Sequence, residues 1–130
     1  MAKQPARDVA LRLSSQSLGT FPGSIFTGAV LPPSAYIPTK AIFVSETGGP
    51  AAQRVFGLAH EHRRASVQVR IRSTAYTTGQ QAAQAAYDAL ESADMSGYLD
   101  VACLGPPVFT ALDENGLYHF SLSAQLFYTT

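Results

Sequence analysis

A chain of 130 residues, 46% of them apolar and only 14% charged, suffices for one modest core and is too apolar for a disordered segment. Nine basic side chains balance nine acidic ones, which argues against a dedicated nucleic-acid binder. Cys103 is the only cysteine, so an intrachain disulfide scaffold is excluded and a reducing compartment is the natural setting.

The opening Met1-Ala2-Lys3-Gln4-Pro5 lacks the apolar core of a signal peptide, and no stretch reaches the ~20 apolar residues of a membrane span. The expectation is a soluble protein of a single domain, residues 1–130, made in a cytoplasm, with no membrane partner. A surface so poor in charge fits a subunit buried in an assembly, and equally an uncharged monomer.

In chain order, Arg7–Gln16 predicts a first helix: Asp8 complements its dipole, and Val9, Ala10 and Leu13 share a face. Gly19 ends it, and Phe21-Pro22-Gly23 makes a turn. Ser24–Leu31 alternates loosely as a strand, whereas Pro32 to Pro38 is too rich in proline for one inside a sheet. Ala41-Ile42-Phe43-Val44 predicts an inner strand closed by a turn over Glu46-Thr47-Gly48-Gly49-Pro50. Residues 50–65 show no period and are expected to form a mobile loop running into the next strand.

The strongest pattern starts at Ser66. Val67, Val69 and Ile71 alternate with Gln68, Arg70 and Arg72, giving a strand with an inward apolar face and an outward arginine face. The period then changes. Tyr76, Ala83, Tyr87 and Leu90 form a helical stripe in an alanine-rich segment, with Ser73 or Thr74 as N-cap and Met95-Ser96-Gly97 as its end. Val101–Leu104 predicts a short strand before Gly105-Pro106-Pro107. Val108–Leu112 and Leu117–Tyr128 flank Asp113-Glu114-Asn115-Gly116, a strong hairpin signal. These elements make an α+β domain with two main helices.

No catalytic, cofactor or metal site stands out. His60 and His62 would share a strand face and could hold an ion with His119 or a carboxylate as third ligand, but a polar loop next to two arginines is the preferred reading. Cys103 lies among Val101, Ala102 and Leu104, the setting of an inert buried thiol. Turn chemistry accounts for Asp113 and Glu114. Glu46-Thr47-Gly48-Gly49 lacks the lysine of a phosphate loop. Arg63, Arg64, Arg70 and Arg72 form the one dense basic cluster. They could meet a phosphate backbone, an acidic patch on a neighbouring subunit, or only solvent; a subunit interface is the best functional reading.

The run Gln68-Val69-Arg70-Ile71-Arg72-Ser73-Thr74-Ala75-Tyr76, a helix ending Ala86-Tyr87-Asp88-Ala89-Leu90, Pro106-Pro107 and Leu112 through Ser121 follow one another, with Phe21-Pro22-Gly23 and Glu46-Thr47-Gly48-Gly49 upstream. As a series, from about Phe21 to Tyr128, this resembles the tail-terminator and minor-capsid proteins of tailed bacteriophages. The resemblance implies a mixed, largely antiparallel sheet with helices packed on it. It implies a homo-oligomeric ring, usually a hexamer, at the head–tail junction of a virion assembled in the host cytoplasm. Such a ring caps the tail-tube protein, ends its polymerisation and presents a surface to the head–tail connector protein. DNA passes through without sequence recognition, and neither enzyme activity nor a cofactor is expected. Another neck or tail component, a head-completion protein or a tube subunit, is the alternative; a small metal-dependent enzyme using His60, His62 and His119 is a third reading.

Overall fold

The computed structural model describes residues 4–16, 25–27, 41–48, 53–54, 61–91, 95, 97–112 and 116–129. Two helices, α1 (Pro5–Ser15) and α2 (Tyr76–Leu90), cover one face of a seven-stranded sheet. The strands are β1 (Ile25–Thr27), β2 (Ala41–Gly48), β3 (Gln53–Arg54), β4 (Glu61–Ser73), β5 (Asp100–Cys103), β6 (Val108–Leu112) and β7 (Tyr118–Thr129). Their main order is β1-β2-β4-β7-β5, with β3 beside β4 and β6 beside β7. Only β1 and β2 run parallel, so the sheet is mixed and largely antiparallel, as expected.

The long β4–β7 ladder is the axis of the fold. It runs without a register break from His62 opposite Thr129 to Ser73 opposite Tyr118. Alternation along it puts Val67, Val69 and Ile71 of β4, and Phe120, Leu122, Ala124 and Leu126 of β7, in the core with Ile42 and Val44 of β2. Leu13 and Val9 from α1 and Ala83, Ala86 and Leu90 from α2 close it. The small residues of α2 allow a close approach: a Cβ on Gly79 would stand 2.5 Å from the Phe120 ring.

Several boundaries move. Helix α1 starts at Pro5, a residue suited to the first helical position because its missing N–H would have had no partner there. Strand β2 continues through Glu46 and Thr47, where a turn was expected, because β4 supplies a partner as far as Ser66 opposite Gly48. Strand β4 begins at Glu61 rather than Ser66, and β3 pairs with it, so backbone ladders occupy part of the expected 50–65 loop. Helix α2 is capped by Ala75; Ser73 remains in the β4 ladder, its Oγ accepting the Ala75 N–H. It also ends at Leu90, before Met95, with the Glu91 N–H donating to the Tyr87 carbonyl oxygen. The turns expected at Gly19, Phe21-Pro22-Gly23 and Pro32 to Pro38 lie outside the described residues.

β5 and β6 run successively along the same side of β7, Asp100 opposite Phe127 and Leu112 opposite Tyr118. They act as one edge strand interrupted around Gly105-Pro106-Pro107. The hairpin joining β6 to β7 has Gly116 at φ 77, a conformation that glycine adopts without a Cβ penalty.

Candidate functional site

The face of the sheet opposite the helices carries the even-numbered residues of β4 and the odd-numbered ones of β7. Arg64, Ser66, Gln68, Arg70 and Arg72 therefore lie beside His119, Ser121, Ser123, Gln125 and Phe127. β2 adds Phe43 and Ser45, and β1 adds Phe26. Arg63, one residue out of step and exposed, belongs to the other side of the strand. Three of the four sequence-predicted arginines thus share a face.

Aromatic rings organise them. The guanidinium carbons of Arg70 and Arg72 lie 5.9 and 5.4 Å from the centre of the Phe43 ring, which stacks on Phe26 at 5.6 Å. Arg64 lies 6.0 Å from the Phe127 ring. Each such contact at an exposed site is worth about 0.5–1 kcal/mol. A guanidinium laid over a ring keeps its in-plane N–H fork directed along the surface, the geometry suited to a carboxylate. The residues opposite these arginines in the ladders are Phe43, Ala41, Ser121, His119 and Phe127, none of them acidic. The phenylalanines were not legible as arginine supports, because Phe43 reads as one more apolar residue of an inner strand until the register places it opposite Arg70.

Two shallow depressions mark this face. One, about 430 Å³, is lined by Gln68, Arg70, Thr110, Ala111, His119 and Ser121. The other, about 410 Å³, lies at the β5–β6 break beside Leu104, Pro106 and Val108. Neither lining includes a carboxylate to orient His119 towards Ser121.

The remaining candidates separate. His62 pairs with Thr129 at one end of the β4–β7 ladder, while His119 pairs with Arg72 towards the other. At ~3.3 Å per residue the two histidines are about 30 Å apart, which removes the shared ion site. His60, Asp113 and Glu114 lie outside the described residues. Among the described residues no three histidine, cysteine or acidic side chains gather as metal ligands, and no helix is long and apolar enough to cross a membrane. Cys103 is half-buried, its N–H donating to Glu91 Oε2 at 3.1 Å and its Sγ 3.9 Å from the Tyr87 carbonyl oxygen. Burial first, and then the Glu91 carboxylate, push its thiol up to about 12, so it stays protonated and a poor nucleophile. Tyr98 donates to Asp8 Oδ2 at 2.5 Å; burial first and then Asp8 push its phenol above the usual tyrosine range. This bond ties α1 to the segment before β5. Glu46, expected in a turn, instead accepts the Ala6 N–H from β2.

β6 was missed as a surface feature. All five of its residues are exposed, including Val108, Phe109 and Leu112. Among the described residues the unit thus has one helix-covered sheet face, one arginine–phenylalanine face and an edge strand with exposed apolar side chains. The family model for bacteriophage tail terminator protein matches residues 12–130, and the chain belongs to that family, as a structural protein of the virion. A search among curated proteins finds no match. Among solved structures, a chain of the "Virion of native gene transfer agent (GTA) particle" has a similar fold. Its TM-score is 0.62 at 14% identity, with 94% of this chain and 92% of that chain covered.

Proposed function

We propose that the chain forms a ring, a hexamer, that caps the completed tail tube and ends its polymerisation. The ring offers its opposite surface to the head–tail connector, and DNA passes through its centre without sequence recognition. Assembly takes place in the host cytoplasm and the product stays at the head–tail junction of the virion. The observation that carries this reading is the tail-terminator family match over residues 12–130. The open sheet face agrees with it: Arg64, Arg70 and Arg72, held over phenylalanine rings, are the subunit-contact residues, with Arg63 at the margin of the contact. Ring closure needs two unlike surfaces that meet head to tail, and no catalytic group.

Sedimentation velocity and negative-stain imaging, with and without purified tail tubes, test the reading. Rings in solution or on tube ends are expected. A chain that stays monomeric and never binds a tube end overturns it, and growth of the chain itself into long tubes would make it a tube subunit instead.

A further inference from the structure

We infer that the depression beside the β6 bulge is a binding site for a carboxylate group, with Arg70 as its cation. The site belongs to the single chain and does not depend on the ring reading above.

The register builds it. Ser121 of β7 lies opposite Arg70 of β4, and Ala111 of β6 lies opposite His119 of β7. The small side chains of Ser121 and Ala111 stand among the longer ones of Gln68, Arg70 and His119, which leaves a hollow of about 430 Å³. The β6–β7 ladder shifts register between Phe109 and Ala111, so Thr110 is the extra residue of a bulge at the rim. Its Oγ1 donates to the His119 carbonyl oxygen at 3.0 Å, which ties the bulge to β7. On the β2 side, the guanidinium carbon of Arg70 lies 5.9 Å from the centre of the Phe43 ring, which supports that wall.

The donors define the ligand. Gln68 supplies an amide, Arg70 a guanidinium and Ser121 a hydroxyl. Among the described residues none of these three side chains has a hydrogen-bond or ion-pair partner within the chain. Among the described lining residues none is acidic, and Arg70 is the only arginine or lysine. One guanidinium beside neutral donors matches a singly charged, planar carboxylate, which its fork meets at two points; a phosphate calls for more positive charge. The volume falls within the range of small-molecule sites, about 300–1,000 Å³. The carboxylate therefore has room to enter with further atoms attached, as an acidic side chain of a neighbouring copy or a free carboxylic acid does.

The test follows amide NMR signals of the full chain during titration with sodium acetate, at an ionic strength held constant with sodium chloride. The Gln68 side-chain amide and the Ser121 backbone amide should shift and saturate, and phosphate at the same ionic strength should bind more weakly. Arg70→Gln should weaken acetate binding by about tenfold or more. Ala111→Glu, which sets an acid in the hollow from β6, should abolish it. Arg70 and Ala111 are both exposed, so the fold is expected to survive, and circular dichroism checks this. Signals that follow ionic strength alone, tighter binding of phosphate than of acetate, or folded variants that bind acetate like the wild type would overturn the site. Sedimentation velocity in acetate and in chloride then separates the two sources. If acetate lowers association of the wild type but not of Arg70→Gln, the ligand is an acidic side chain of the next copy. If acetate binds and association is unchanged, the ligand is a free carboxylate. A wild-type chain that binds acetate yet never assembles, alone or on tube ends, keeps the site and overturns the ring.

Discussion

Replacing Gly79 with alanine sets two effects of known sign against each other. Gly79 is inside α2, where alanine is favoured by about 1 kcal/mol on helix propensity alone. Yet the new methyl would stand 2.5 Å from Phe120 Cε2, 3.0 Å from Cδ2 and 3.2 Å from the Ser73 Cβ. The ring has little room to yield: Phe120 is 2% exposed and its centroid lies 5.4 Å from Tyr76 and 5.5 Å from Phe109. Overpacking of this kind costs about 1–3 kcal/mol. The net expectation is a loss of about 1 kcal/mol, or roughly 3–6 °C in Tm for a chain of this size. Thermal and urea unfolding followed by circular dichroism measure it, with Gln80→Ala on the exposed side of the helix as the propensity control. Combining Gly79→Ala with Phe120→Leu removes the ring edge, so alanine should then be neutral or stabilising. If Gly79→Ala raises the Tm with Phe120 in place, close packing of α2 on β7 is not what requires glycine here.

Leu126→Ala, at a fully buried position opposite both Ala65 and Val101, should cost about 2–5 kcal/mol in urea unfolding. Tyr98→Phe removes the bond to Asp8 and should cost about 1–2 kcal/mol by the same measurement. The Cys103 thiol is raised on folding, so its contribution is fully present below the unfolded thiol's ordinary value of about 8.5. That contribution is lost as pH climbs towards about 12; the urea midpoint should fall across this window, and less steeply in Cys103→Ala. Ellman's reagent at pH 8 should react slowly with the folded chain, and faster in Glu91→Gln, which removes the smaller, charge-based part of the shift.

What was legible in the sequence follows from where one face is buried. Val67 to Arg72 alternates because one side meets the core and the other does not, and so the strand and its arginine face could be read directly. Arg63, Arg64 and Ala65 belong to the same strand but are exposed or only half-buried, so no apolar period marks them, and a ladder was mistaken for a loop. The arginine cluster was legible as residues but not as a site. The alternation that joins Arg70 to Arg72 sets Arg63 apart, and the supporting rings come from β1, β2 and β7, which sequence distance hides. β6 read as an ordinary hairpin arm because apolar alternation is the same whether a neighbouring strand or a neighbouring molecule covers it.

The position of β7 also sets the order in which the sheet can be built. It bonds to β4, β5 and β6, and it follows all three in the chain. During vectorial synthesis, at about 5–20 residues per second, β4 leaves the ribosome with β2 as its long partner and with its other edge unpaired. The apolar β6 also emerges before its only described neighbour. A chain halted before Tyr118 would therefore lack the one strand to which β4, β5 and β6 all pair.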